Sequence, residues 1–264
     1  LKEISMTGAK YQSTIFLKTK DDFFLDHAVN TTILSILIGI KFRFSRPELV
    51  SLALGSFLHD IGKVIINQIE NNPVESGRSL YREHPTFGYL LLKNSPDVSP
   101  MEVQVINQHH EYQDGSGFPI GLSGENLPPV RSVNRKKGSI FRLAEICCVA
   151  SAYDNLIMNP FGDSLKTPEE ALKKIILDAG KIYNKPIVSI LHEIIPVFPV
   201  GFTIQIEDII DPSLAGCYGV VARVNPGKMS RPVVIITMNK SRKKIRPIMI
   251  DTSKLHNIKL KLIL

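Results

Sequence analysis

"RPELVSLALGSFLHDIGKVII", residues 46–66, decides how the chain is read. Pro47 stands where the first turn of a helix tolerates proline, and apolar residues then follow at three- and four-residue steps. One continuous helix is expected. Inside that apolar pattern lie His59 and Asp60, side by side, with Lys63 one turn further on. A histidine on an apolar face is usually a hydrogen-bonded core residue. The alternative is that the pair serves chemistry, and the rest of the chain has to decide between the two.

Working outward, the helical pattern extends over most of the chain. "FLDHAVNTTILSILIGI" (24–40), "HPTFGYLLLKN" (84–94), "SPMEVQVINQHHEY" (99–112) and "SIFRLAEICCVASAYDNLIM" (139–158) all read as helices. So do "TPEEALKKIILDAG" (167–180), with Thr167 as cap and acids in its first turn, and "KPIVSILHEII" (185–195). After Pro196 the rhythm changes to short Val- and Ile-rich runs broken by Gly, Pro, Asn and Asp. About five antiparallel strands of the usual length of ~5–6 residues are expected there. The expected architecture is mainly α, a helical bundle with a small C-terminal antiparallel β domain. Its expected divisions are 1–22, the N-terminal segment of a longer protein; 23–195, a helical domain; and 196–264, a small basic β domain.

Composition narrows the classes. Hydrophobic residues make up 44% and charged residues 22%, enough to bury a substantial core. No apolar run reaches the ~18 residues of a membrane-spanning helix. The cysteines Cys147, Cys148 and Cys217 have neither zinc-site nor disulfide spacing, which suits a reducing, cytoplasmic compartment. The net charge is +7. Residues 196–264 hold 11 Lys and Arg against 4 Asp and Glu, while the preceding residues balance at 21 each. Such a basic end could meet nucleic acid, an anionic membrane surface or an acidic partner. A solvated basic face is the plainer reading, and nucleic acid is disfavoured because aromatics are not interleaved.

Seven histidines occur, and five of them, His27, His59, His84, His109 and His110, fall in the first 110 residues beside apolar helical stretches. That concentration shifts the balance from core residues to a metal site. Imidazole suits iron, manganese, zinc and nickel, and carboxylate suits the harder ions. Asp60 could bridge two ions with its two oxygens. Two ions about 3.5–4 Å apart form a clamp for phosphoryl displacement by an activated water. In "NQHHEYQDGSGFPIG" (107–121), His109 and His110 precede a glycine-rich turn closed by Phe118 and Pro119. Taken alone, they could equally be polar residues at a helix end.

Read together, "LHDIGK", "REHPTFGYLLL" and "HHEYQDGSGFP" resemble the HD-GYP family, the cyclic di-GMP phosphodiesterases of the HD phosphohydrolase superfamily. The resemblance covers roughly residues 23–195, and the β tail is similar to an extension that some members carry. It implies an HD-type helical bundle and a divalent metal centre of one or two ions, iron or manganese, with zinc or nickel as alternatives. His27 and His59 would ligate one ion and His84, His109 and His110 the other, with Asp60 between them. Asp60 and Lys63 would be catalytic, Lys63 meeting a substrate phosphate or developing charge. Asp114, Gly115, Gly117 and Phe118 would shape the substrate side of the cleft. Two of these have plain alternatives: Lys63 as a surface lysine and Asp114 as a turn-former.

The chain also departs from the family pattern. Ser151 stands where a ligand aspartate is expected, with Asp154 matching the second aspartate of that stretch. Phe23 replaces a glutamate associated with a third metal. Asn159 precedes Pro160 where an arginine helps hold the dinucleotide, and Phe118 replaces the tyrosine of Gly-Tyr-Pro. Two functions follow as expectations. One is a bacterial phosphodiesterase hydrolysing cyclic di-GMP or a related nucleotide through metal-activated water. The alternative is a degenerate domain acting as a nucleotide sensor or meeting a signalling-protein partner.

Overall fold

A computed structural model describes residues 23–69, 78–158 and 166–263. The 1–22 segment and the Asn159–Pro160 departure lie outside the described residues, as does the side chain of Phe23. The chain forms two compact units. Among the described residues, one comprises 23–69, 78–158 and 171–192, and the other 166–170 and 193–263.

The first unit is helical. It contains α1 (Phe23–Lys41), α2 (Arg46–Phe57), α3 (Lys63–Ile69), α4 (Arg78–Tyr81), α5 (His84–Leu92), α6 (Pro100–Gln108) and α7 (Arg142–Met158). It also takes most of α8 (Pro168–Leu177) and α9 (Lys185–Ile194). α1 packs on α2 and α7, α2 on α6, and α6 on α5 and α7. The apolar residues that set the sequence rhythm fill this core: Leu34, Ile38, Leu52, Val105, Ile106, Leu143, Ile146 and Tyr153 are all buried. The mainly α bundle expected from the sequence is what forms.

The opening stretch is not one helix. α2 stops at Phe57 and α3 starts at Lys63, and the turn between them carries His59 and Asp60. Close packing accounts for the break. A Cβ at Gly62 would overlap the carbonyl oxygen of His84 and crowd the backbone of Gly88, so the turn fits against the start of α5 only with glycine there. The helix expected over 99–112 likewise ends early, at Gln108, with His109 as its C-cap.

In the second unit the five expected strands form one antiparallel sheet in the order β4-β3-β2-β1-β5. They are β1 (Thr203–Ile209), β2 (Tyr218–Arg223), β3 (Val233–Met238), β4 (Lys244–Asp251) and β5 (Ile258–Ile263). Ile204, Ile206, Val221, Val234 and Ile236 alternate onto one face and close over Phe198 and Cys217. Pro247 lies in β4, an edge strand, where a missing N–H breaks no ladder bond.

Gly62→Ala should destabilise the protein by about 1–3 kcal/mol, the usual range for overpacking. An unchanged urea midpoint would show that the turn holding His59 and Asp60 is looser than this packing requires.

Candidate metal centre

Each histidine of the set is presented by a different local device. His27 faces inward from α1. His59 and Asp60 occupy the turn after α2, His84 opens α5, and His109 and His110 follow the last turn of α6. The structure brings all six residues together in two overlapping groups: His27, His59 and Asp60, and Asp60, His84, His109 and His110. The ligand atoms within each group lie within 4.8 Å of one another, and Asp60 belongs to both.

The ring orientations are fixed from behind. His59 Nδ1 lies 2.7 Å from Ser56 O, His84 Nδ1 2.7 Å from Tyr81 O, and His109 Nδ1 2.8 Å from Ile106 O. A carbonyl oxygen only accepts, so each Nδ1 carries the proton and donates it, and each Nε2 is left with a bare lone pair. His27 Nδ1 is 2.7 Å from Asp154 Oδ2, whose Oδ1 accepts from Asn30 Nδ2 at 3.0 Å. That carboxylate sets the same tautomer in His27.

The Nε2 atoms then face one another. His27 and His59 approach to 3.2 Å, and His84 and His109 to 3.1 Å. Two lone pairs at such distances repel unless a cation lies between them. Asp60 completes the arrangement. Its Oδ2 is 3.5 Å from His59 Nε2 and 3.8 Å from His27 Nε2. Its Oδ1 is 3.1 Å from His84 Nε2 and 3.8 Å from His109 Nε2. Asp60 Oδ1 is also buried without a hydrogen-bond donor. Converging imidazole nitrogens around a buried carboxylate oxygen that has no donor of its own fit a divalent ion, so the residues present suit the metal that the motif implies.

Electrostatics leave the groups in ligand form. Burial lowers His59 to about 4, and burial likewise holds His109 and His110 well below the usual imidazole range. Burial would raise Asp60, but the neighbouring positive charge of Lys63 works against it, and the carboxyl lies well below its ordinary value. Neutral imidazoles around an ionised carboxylate are the state a metal requires.

The two halves are not equivalent. Oδ2 of Asp60, on the His27 side, forms an ion pair with Lys63 Nζ at 2.5 Å, and Lys63 also lies over the Tyr81 ring. Ser151, one turn before Asp154 on α7, places its Oγ 3.3 Å from His27 Nε2. The hydroxyl thus stands beside the ring where the sequence comparison expected a carboxylate, and it is a weaker, uncharged donor.

The glycine turn acts mainly on His110. A Cβ at Gly117 would overlap the carbonyl oxygen of His110, so glycine lets the turn press against the ligand segment. Phe118 N donates to that oxygen at 3.0 Å, and the Phe118 ring stacks on His110 with centroids 4.5 Å apart at 19°. Glu111 anchors the far end, accepting from the backbone N–H groups of Ile120, Gly121 and Leu122 at 2.7, 3.2 and 2.7 Å. Gly115 takes a φ of +79°, as the turn demands. Asp114 is exposed and its Oδ1 accepts from the backbone and hydroxyl of Ser116, so its carboxylate forms the turn and lies outside the metal groups.

Sequence reasoning did not assign roles to Asp154 or Glu111. Asn30, one turn after His27, was the available signal for Asp154, since the two hold the same carboxylate. Glu111 gives no periodic signal because its partners are backbone N–H groups of a loop.

The expected effect of Asp154→Ala is a roughly 10- to 100-fold loss of metal affinity on the His27 side, the range for removing a ligand's hydrogen-bond partner. Metal titration with elemental analysis reads it, and unchanged affinity would mean that the carboxylate does not orient His27.

The chain is 26% identical over 199 residues to the cyclic di-GMP phosphodiesterase PA4108 of Pseudomonas aeruginosa, covering 74% of this chain and 45% of that protein. It is 24% identical over 195 residues to the cyclic di-GMP phosphodiesterase PdeB of Borreliella burgdorferi, covering 72% and 48%. The chain thus spans about half the length of the curated relatives it matches. Among solved structures, Bd1817, an HDG"Y"P protein from Bdellovibrio bacteriovorus, shares the fold with a TM-score of 0.51 at 24% identity, over 67% of this chain and 54% of that one. The profile of the HD domain family matches residues 15–187. The chain belongs to the HD domain family, and within it resembles the HD-GYP proteins.

Proposed function

We propose that the protein is a metal-dependent phosphodiesterase that hydrolyses cyclic di-GMP or a related cyclic dinucleotide. One observation carries this reading: four Nε2 lone pairs, fixed from behind, converge on the two oxygens of one shared carboxylate. His84, His109, His110 and Asp60 would hold one ion, and His27, His59 and Asp60 a second, iron or manganese suiting this mixture of imidazole and carboxylate. When bound, such ions polarise a phosphodiester and acidify water for attack.

The chain's own groups would do the rest. Asp60 keeps the two halves in register through its two oxygens. Lys63, half-buried and paired with Asp60, supplies positive charge beside the centre for a phosphate. The turn at 115–118 backs His110 so that the imidazole cannot swing away. The names of the relatives, cyclic di-GMP phosphodiesterases, support the substrate class. No helix among the described residues is long and apolar enough to cross a membrane, and the three cysteines are free and buried, which fits a cytoplasmic setting.

Ser151 favours a second reading, in which the His27 side is too weak for turnover and the domain senses the nucleotide or engages a signalling partner. Hydrolysis assays with manganese or iron, paired with elemental analysis, separate the two. The phosphodiesterase reading expects turnover that disappears, together with bound metal, in Asp60→Ala and His109→Ala. Ser151→Asp should raise both metal per chain and turnover. Nucleotide binding with no hydrolysis by a metal-filled protein would instead establish the sensor.

A further inference from the structure

Phe118 is not available as a platform for a nucleotide base. The His110 ring is stacked on it at 4.5 Å, and the Arg82 guanidinium lies over it at 4.7 Å from the centroid. Two groups that close to one centroid need opposite faces, so both faces are covered. The stack nevertheless has an exposed end, and that end is Arg82. A cation over an aromatic face is held in place, so the planar fork of N–H donors is ordered before any ligand arrives.

Arg82 and Glu83 line one side of a cleft of about 560 Å³, and Gly117 to Gly121 line the other. The cleft adjoins the metal groups at two points, since Glu83 precedes His84 and Phe118 packs on His110. Both polar side chains are exposed, and neither has a hydrogen bond or ion pair among the described residues. Glu83 occupies the N-cap position of α5 without making the side-chain cap bond that would tie it down. The lining of the cleft therefore includes one forked donor and one carboxylate acceptor. A bare phosphate matches the first and is repelled by the second. A guanine base matches both: O6 and N7 accept from an arginine fork, and N1–H and the N2 amino group donate to a carboxylate.

We infer that this cleft is a guanine subsite, in which Arg82 donates to O6 and N7 and Glu83 accepts from N1–H and the amino group. The inference rests on the cyclic dinucleotide reading given above and narrows it to a base and to two residues. It also places base recognition in the turn–α5 segment, on described residues, rather than in the 159–160 stretch where the family's arginine is missing.

The test is calorimetric titration of the manganese-loaded full chain with cyclic di-GMP and with cyclic di-AMP. The native protein, Arg82→Gln, Arg82→Lys and Glu83→Gln are compared, with metal per chain measured for each. The subsite requires the native protein to prefer cyclic di-GMP. Arg82→Gln should weaken that ligand about 10- to 100-fold, the range for a lost charge-assisted pair, with metal content unchanged. Arg82→Lys should not restore affinity, because an ammonium lacks the fork. Glu83→Gln should lower affinity for cyclic di-GMP more than for cyclic di-AMP and so shrink the preference. Native affinity in Arg82→Gln, or an undiminished preference in Glu83→Gln, overturns the assignment. So does loss of metal in Arg82→Gln, which would make Arg82 a support for His110 alone. If the native protein binds cyclic di-GMP without cleaving it, the phosphodiesterase reading fails while these affinities still decide the subsite.

Discussion

Buried lone pairs that face one another are the constraint on which the helical unit depends. Four imidazoles are turned so that Nδ1 donates backward and Nε2 points inward. Satisfying Nδ1 with a carbonyl costs little, because the residue three positions earlier already presents one at a helix end. Asp60 adds two more acceptors to the same space, and the donors beside them, Lys63 and the Ser151 hydroxyl, stand on the His27 side. Such an arrangement is unfavourable in itself and becomes favourable only around positive charge. An ion bound there would couple folding to metal binding, because whatever holds the rings behind also creates the demand in front.

The same backing accounts for where the clustered histidines lie in the secondary structure. Apart from His27, they sit at helix ends, in the turn after α2, at the start of α5 and just past α6. Terminal turns have unpaired carbonyls, and Ser56, Tyr81 and Ile106 supply theirs to the rings. His27 lies within α1, and for it a side chain, Asp154, takes that role.

Periodicity made most of the fold legible. α1, α5, α7 and the five strands lie close to the stretches where apolar residues recur with a period of 3.6 or 2. The break at 58–62 could not be read, because apolar residues continue through it and its cause is the contact of Gly62 with the backbone of α5. The six clustered His and Asp residues were legible through their types and spacing, and the structure gathers all six. The roles of Asp154 and Arg82 were not, since each depends on a contact across the fold, with His27 and Phe118 respectively. Ser151 was visible as an odd residue, but its 3.3 Å approach to His27 required coordinates.

The order of the sheet has its own implication for how the β unit assembles. β1 lies between β2 and β5, so the first strand made is flanked on one side by the last. Pairing of β1 with β2, of β2 with β3 and of β3 with β4 can proceed through short local loops as the chain emerges. The seam between Thr203–Ile209 and Ile258–Ile263 must wait until all the intervening residues have been made, and its loop-closure entropy is the largest in the sheet. Until then one side of β1, next to the apolar core that Ile204 and Ile206 build, is an open edge. Synthesis of β5 is thus the step that completes the sheet and covers this edge of β1.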